Sequence, residues 1–249
     1  MNKTTTILLA LAGALRAFAN PIAVYEHEGK EFTAYDVRKQ AESCIALIDS
    51  QQTLVSCEVT YRLQEAKAKI PSYFLGIMVP AFVAAGDQSS DDDLIRRFGP
   101  TVEMSGKKHL PEPRVMRLRS PSERQGISGP ADTDVVLFYF LLEVGRGQRQ
   151  ATVLVTYVQP SIGHRFLYVP FFEDRSKDSG FILDAVAKSP AVRLRSARPT
   201  SGIVAYTARI RIPLRHEEVI EVEVAEANPE ASDSTASVGA SAAGQSQGP

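Results

Sequence analysis

A mostly β protein is the fold class that the sequence predicts. It is an antiparallel β-sandwich, built as one unit or as two small sandwiches in tandem, with one or two short helices and a disordered C-terminal tail. Three observations lead there. Between residues 43 and 225 the apolar residues recur with a period of two rather than 3.6. The stretches that do so are short and separated by Pro- and Gly-bearing segments, about ten of them in all. The 249 residues are 44% hydrophobic, enough for a core, yet no run of about 18 apolar residues marks a membrane-spanning helix. Two cysteines are too few for a disulfide-dense scaffold or a four-Cys zinc site.

The chain opens with a leader. Lys3 precedes the apolar run from Ile7 to Leu15, and Ala17-Phe18-Ala19 reads as a small-x-small cleavage site. That order is a secretory signal peptide over residues 1–19, which places the mature chain in the periplasm or outside the cell, without a membrane span. Residues 20–85 form an N-terminal β-rich part with the first hairpin. Residues 86–130 form a loop-rich basic connector with a short helix, residues 131–225 a C-terminal antiparallel β part, and residues 226–249 the tail. The tail is Ala, Ser, Gly, Gln, Pro and acid with Val238 as its one large aliphatic, too little apolar surface to offset the entropy of ordering.

Residues 34–48 admit two structures. Thr33-Ala34-Tyr35-Asp36 resembles a capping box, and Val37, Ala41, Cys44, Ile45 and Ile48 have helical spacing, which predicts a helix from residue 34 to about 42 or beyond. A strand over residues 43–48 instead makes a hairpin with residues 53–62, turning between Ser50 and Gln51. In that register Cys44 lies opposite Cys57, within disulfide range. Export permits the bridge to persist.

From Leu54 to Leu63, Val55, Cys57, Val59, Tyr61 and Leu63 form one apolar row. Tyr73 to Val79 is a weaker strand. Ser90 followed by three aspartates predicts a capped helix running to about Phe98, stopped by Gly99-Pro100. Val115 to Arg119 is another weak strand. Val135 to Leu142 is apolar on both faces and suits a central strand, and with Ala151 to Val158 it reads as a hairpin. Phe166 to Phe171, Phe181 to Val186 and Val192 to Arg195 are weaker strands. Val204, Tyr206, Ala208, Ile210 and Ile212 share one face, and Ile220, Val222 and Val224 alternate with Glu221 and Glu223.

Catalytic templates fail one by one. His27, His109, His164 and His216 show no metal-binding spacing, and Asp91 to Asp93 lacks the pattern of a calcium loop. There is no GxSxG and no phosphate-binding Gly loop, and Ser105 to Lys108 matches SxxK only formally. No cofactor and no metal are expected.

Charge is segregated. Six arginines and no acid lie between Val192 and Arg215, whereas seven acids and no Lys or Arg follow from His216. Two neighbouring strands with complementary solvent faces account for this; the sharper alternative is an anion-binding strip of Arg114, Arg117, Arg119, Arg193, Arg195, Arg209 and Arg211. Tyr157, Phe166, Tyr168, Phe171 and Phe172 read as core, or as a sugar-stacking platform. The expected function is that of an exported, non-catalytic β protein acting by surface contact in the bacterial cell envelope or outside the cell. Its partner would be another envelope protein or an anionic glycan, and no nucleic acid. The alternative is a secreted hydrolase with a site assembled from His164, Asp174 and Asp178.

Overall fold

The computed structural model describes residues 22–27, 30–34, 37–63, 73–104, 107–109, 113–118, 129–144, 148–170, 181–198, 206–214 and 219–226. The leader and the chain beyond residue 226 lie outside them. Fifteen strands and one helix make up the described residues, arranged in three sheets.

The seven-stranded sheet is built outward from one hairpin. Strand β3 (Val37–Ile48) and strand β4 (Gln52–Leu63) pair antiparallel, with Cys44 opposite Cys57 and Leu47 opposite Leu54. The helix expected over residues 34–42 is therefore not formed. Val37, Ala41, Cys44 and Ile48 do fit a helical face, but pairing on both edges of β3 satisfies its backbone instead. Burial then alternates: Cys44, Ala46 and Ile48 point inward, and Ile45 and Leu47 point outward. A bulge between Lys39 and Ala41 shifts the phase, and Lys39 and Glu42 both face the interior.

On the far side of β4 lies β10 (Gln150–Pro160), then β6 (Thr101–Met104) and β7 (Lys107–His109). On the far side of β3 lies β12 (Phe181–Ala187), in parallel, followed by β14 (Arg209–Pro213). The β3–β12 pair departs from the antiparallel pattern expected of the sheet.

The five-stranded sheet has the order β2 (Lys30–Ala34), β1 (Ile22–His27), β5 (Tyr73–Ala84), β9 (Thr133–Val144), β8 (Arg114–Leu118). Strands β9 and β10, expected to form a hairpin, belong to different sheets. VVLFYFLL needs cover on both faces, and it finds its ladder partners in β5 and β8. One face, with Val136, Phe138, Phe140 and Leu142, joins the inward rows of the seven-stranded sheet in a single core. The other, with Val135, Leu137 and Tyr139, packs with Met78, Phe82, Leu167 and Val169. Each fully buried side chain of this size is worth about 1.5–3 kcal/mol. Strands from the first and last parts of the chain interleave in shared sheets, so the tandem arrangement is not the one adopted.

Pro80 sits inside β5 without breaking it. The Phe82 N–H donates to Gln159 Oε1 (3.0 Å) and the Phe82 carbonyl accepts from Gln159 Nε2 (2.9 Å). Those groups face away from β9, and the two-residue period puts the Pro80 nitrogen on the same side, where it removes no ladder bond. Gln159 thereby links β10 of one sheet to β5 of the other.

The third sheet has the order β11 (Arg165–Tyr168), β15 (Ile220–Glu226), β13 (Val192–Arg198). Arg195 and Arg198 lie 3.6 and 3.7 Å from Glu223 and Glu221 across its ladder, so the basic and acidic stretches are neighbouring strands. The row expected from Val204 to Ile212 is interrupted. Tyr206 and Ala208 are exposed because the chain changes partner there: Thr207 bonds Leu194 of β13, and Arg209 then joins β12.

The helix α1 (Asp91–Phe98) is the one that the aspartate run predicts. Ser90 Oγ accepts from the Asp93 N–H, and Gly99, left-handed at φ 50°, donates to the Ile95 carbonyl. Leu94 and Phe98 are buried, with the Phe98 ring 5.4 Å from that of Phe138.

Candidate functional site

The outward face of the seven-stranded sheet carries most of the large exposed aliphatics. Inward-pointing residues on β3 and β4 fix the others outward, so Ile45 is 50% exposed, Leu47 38% and Leu54 43%, with Leu154 on β10 at 40%. These are not scattered. Val186, Leu47, Leu54 and Val158 are successive ladder partners on β12, β3, β4 and β10, an unbroken apolar row across four adjacent strands. Ile45 extends it two residues along β3. Charge borders the row. On β14, Arg209 and Arg211 each donate to Asp184 at 3.0 Å; the Arg211 bond, offset in part by burial and aided by Arg209, holds the Asp184 carboxyl below its usual range. Toward the opposite border stands Glu103 on β6, and Glu58, on the central strand β4, lies across Leu154 from it.

The arginines proposed from sequence lie on strands of three sheets. Arg117 donates to the carbonyls of Asp87 and Ser89 and lies 3.8 Å from Asp91. Arg193 donates to the Pro190 carbonyl, and Arg114 is exposed on β8. Arg119 lies outside the described residues. Beside Arg117, with Gln88 and Asp134, is a cavity of about 120 Å³. Asp87 lines it. Burial alone would raise this carboxyl, but bonds from Ser89 and Arg97 outweigh it and lower the value to about 2. The stabilisation this represents is present above the unfolded value near pH 4 and is lost as pH falls through about 2. Asp87→Asn is expected to flatten the acid limb of stability between those limits; an unchanged limb in acid titrations of unfolding would contradict it.

Cys44 and Cys57 are joined by a disulfide, with Cα atoms 4.1 Å apart. Around it lies a buried polar cluster with no forewarning in the sequence. Tyr168, from the third sheet, donates to Glu42 Oε1 at 2.6 Å, and its hydroxyl oxygen lies 2.9 Å from Cys44 Sγ and 3.3 Å from Cys57 Sγ. Lys39 pairs with Glu42. Burial, then the Glu42 charge, raises the hydroxyls of Tyr61, Tyr157 and Tyr168 above the usual phenol value. Tyr157, Phe166 and Tyr168 are fully buried, hence core rather than a stacking platform; Phe171 and Phe172 lie outside the described residues.

His164 is exposed in the turn before β11, at φ 58°, and its carbonyl accepts from Val224. Asp174 and Asp178, the carboxylates with which it was to act, lie outside the described residues, as does His216. Among the described residues no cluster of His, Cys, Asp or Glu suits a metal ion.

No protein-family model matches the chain, and no curated protein matches it. Among solved structures it is similar to a Legionella pneumophila protein described as a "putative nutrient binding protein", at 9% identity and a TM-score of 0.45, over 82% of this chain and 69% of that one. No helix among the described residues is long and apolar enough to cross a membrane.

Proposed function

We propose that this is an exported, non-catalytic β protein that acts by surface contact, in the cell envelope or outside the cell, through the outer face of its seven-stranded sheet. The observation that carries the reading is the unbroken row Val186–Leu47–Leu54–Val158, with Ile45 beside it: the leucines and Ile45 are exposed and the valines half-buried, on a sheet whose opposite face packs into the core. The Cys44–Cys57 bridge supports export, since disulfides persist in oxidising compartments. The arginines on β13 and β14 are engaged with acids and carbonyls, which favours a protein partner over an anionic glycan. The hydrolase reading gains no support from the exposed turn that holds His164.

Intact-mass measurement on the exported fraction is expected to find a chain beginning at Asn20, two hydrogen atoms lighter per chain than its reduced form. Residues 1–19 retained on cytoplasmic protein, or two free thiols, would refute export.

A further inference from the structure

The contact face has a symmetry of its own. Read across the strands from β12 to β10, the row is Val, Leu, Leu, Val. A two-fold axis along the strands, passing between β3 and β4, sets Leu47 of one molecule on Leu54 of the other and Val186 on Val158. The same operation carries β14 over β6. Arg211, 65% exposed despite its bonds to Asp184, then lies level with Thr101, one outward-facing position along β6 from Glu103. A face that is complementary to itself under one rotation, in apolar size and in charge, is what an isologous interface requires.

We infer that the outer face of the seven-stranded sheet binds a second copy of this chain about that axis. This rests on the reading of the face as a contact surface and names its partner. The area is adequate. Six strand-to-strand steps of about 4.8 Å and about six residues along each strand give roughly 600 Å² a side, about 1,200 Å² in total, the lower end of specific interfaces. The dimer is accordingly concentration-dependent rather than obligate. The pairing also covers Ile45 and Leu154, which a monomer leaves in water.

Sedimentation velocity on the mature, oxidised chain, from micromolar to near-millimolar concentration, is expected to show a monomer passing to twice its mass. Leu54→Lys should abolish the transition with the melting temperature held, because the side chain already points to solvent. A chain that stays monomeric throughout, or a dimer that survives Leu54→Lys, overturns the inference. Charge reversal tests the axis independently. Arg211→Glu, and separately Glu103→Lys, should each weaken self-association. An equimolar mixture should restore it, since every border contact of the mixed pair is again between opposite charges. A mixture no better than its parts overturns the two-fold arrangement.

A photo-crosslinking residue at Leu154 in exporting cells separates this inference from the reading beneath it. A product of twice the chain mass supports the dimer. A product with a different polypeptide overturns the dimer and leaves the contact face standing. No product at all overturns both.

Discussion

Lys39→Ala is expected to lower the unfolding free energy by about 3–5 kcal/mol, because it breaks a buried ion pair by removing one partner. The Glu42 side chain is fully buried and that of Lys39 is 4% exposed. Lys39 is a cation that faces Glu42, three residues away across the bulge of β3, and Tyr168 adds a neutral donor. Taking both charges out of water is costly, and their pairing compensates only while both are present. The double replacement Lys39→Met with Glu42→Gln removes the two charges and keeps an acceptor for Tyr168. It is expected to recover more than half of the single-site loss. Urea unfolding with an unchanged dependence on denaturant gives both numbers. A loss below about 1 kcal/mol for Lys39→Ala would mean that Glu42 is satisfied without it.

Removing the Cys44–Cys57 bridge is expected to cost about 3 kcal/mol, the loop-closure entropy that the chain model assigns to a separation of 13 residues. The bridged strands are held by the ladder on both sides, so Cys44→Ser with Cys57→Ser should fold to the same register with a lower unfolding midpoint. Far-ultraviolet circular dichroism should be unchanged. The Tyr168 hydroxyl loses the sulfurs beside it and keeps its bond to Glu42, which limits the damage to the cluster. An unaltered midpoint in the double variant would show that the unfolded chain is already compact around this hairpin.

The first hairpin and the short helix were legible in the sequence because both are local. Ser90, the aspartates and Gly99 specify the helix within ten residues. Once a turn is placed between Ser50 and Gln51, every facing pair of β3 and β4 from Glu42 onward follows. That register also places Leu47 opposite Leu54, on the face away from the cysteines, so the outer apolar row had a signal. Ile45 fits the helical spacing of Val37, Ala41, Cys44 and Ile48 equally well, and that competing pattern masks the row. The sheet memberships of β9 and β10 were not legible. An alternating pattern names the face that a strand buries but not the strand beside it. The cluster of Lys39, Glu42 and Tyr168 was invisible for the same reason, since it joins two sheets and depends on one bulge.

The parallel pairing of β3 with β12 bears on how the protein comes together. Cys44 and Leu183 are ladder partners although most of the chain lies between them. A chain that emerges N-terminus first can close the β3–β4 turn and oxidise its two thiols at once, whereas the other edge of β3 must wait for residues 181–187. Until then it presents a row of unpaired amides, with Ile45 and Leu47 beside them. Closing so long a loop costs only slightly more entropy than closing a moderate one, but it is slow to find. Order of synthesis thus becomes order of assembly: the covalent clasp forms first, and the strand that seals it arrives among the last.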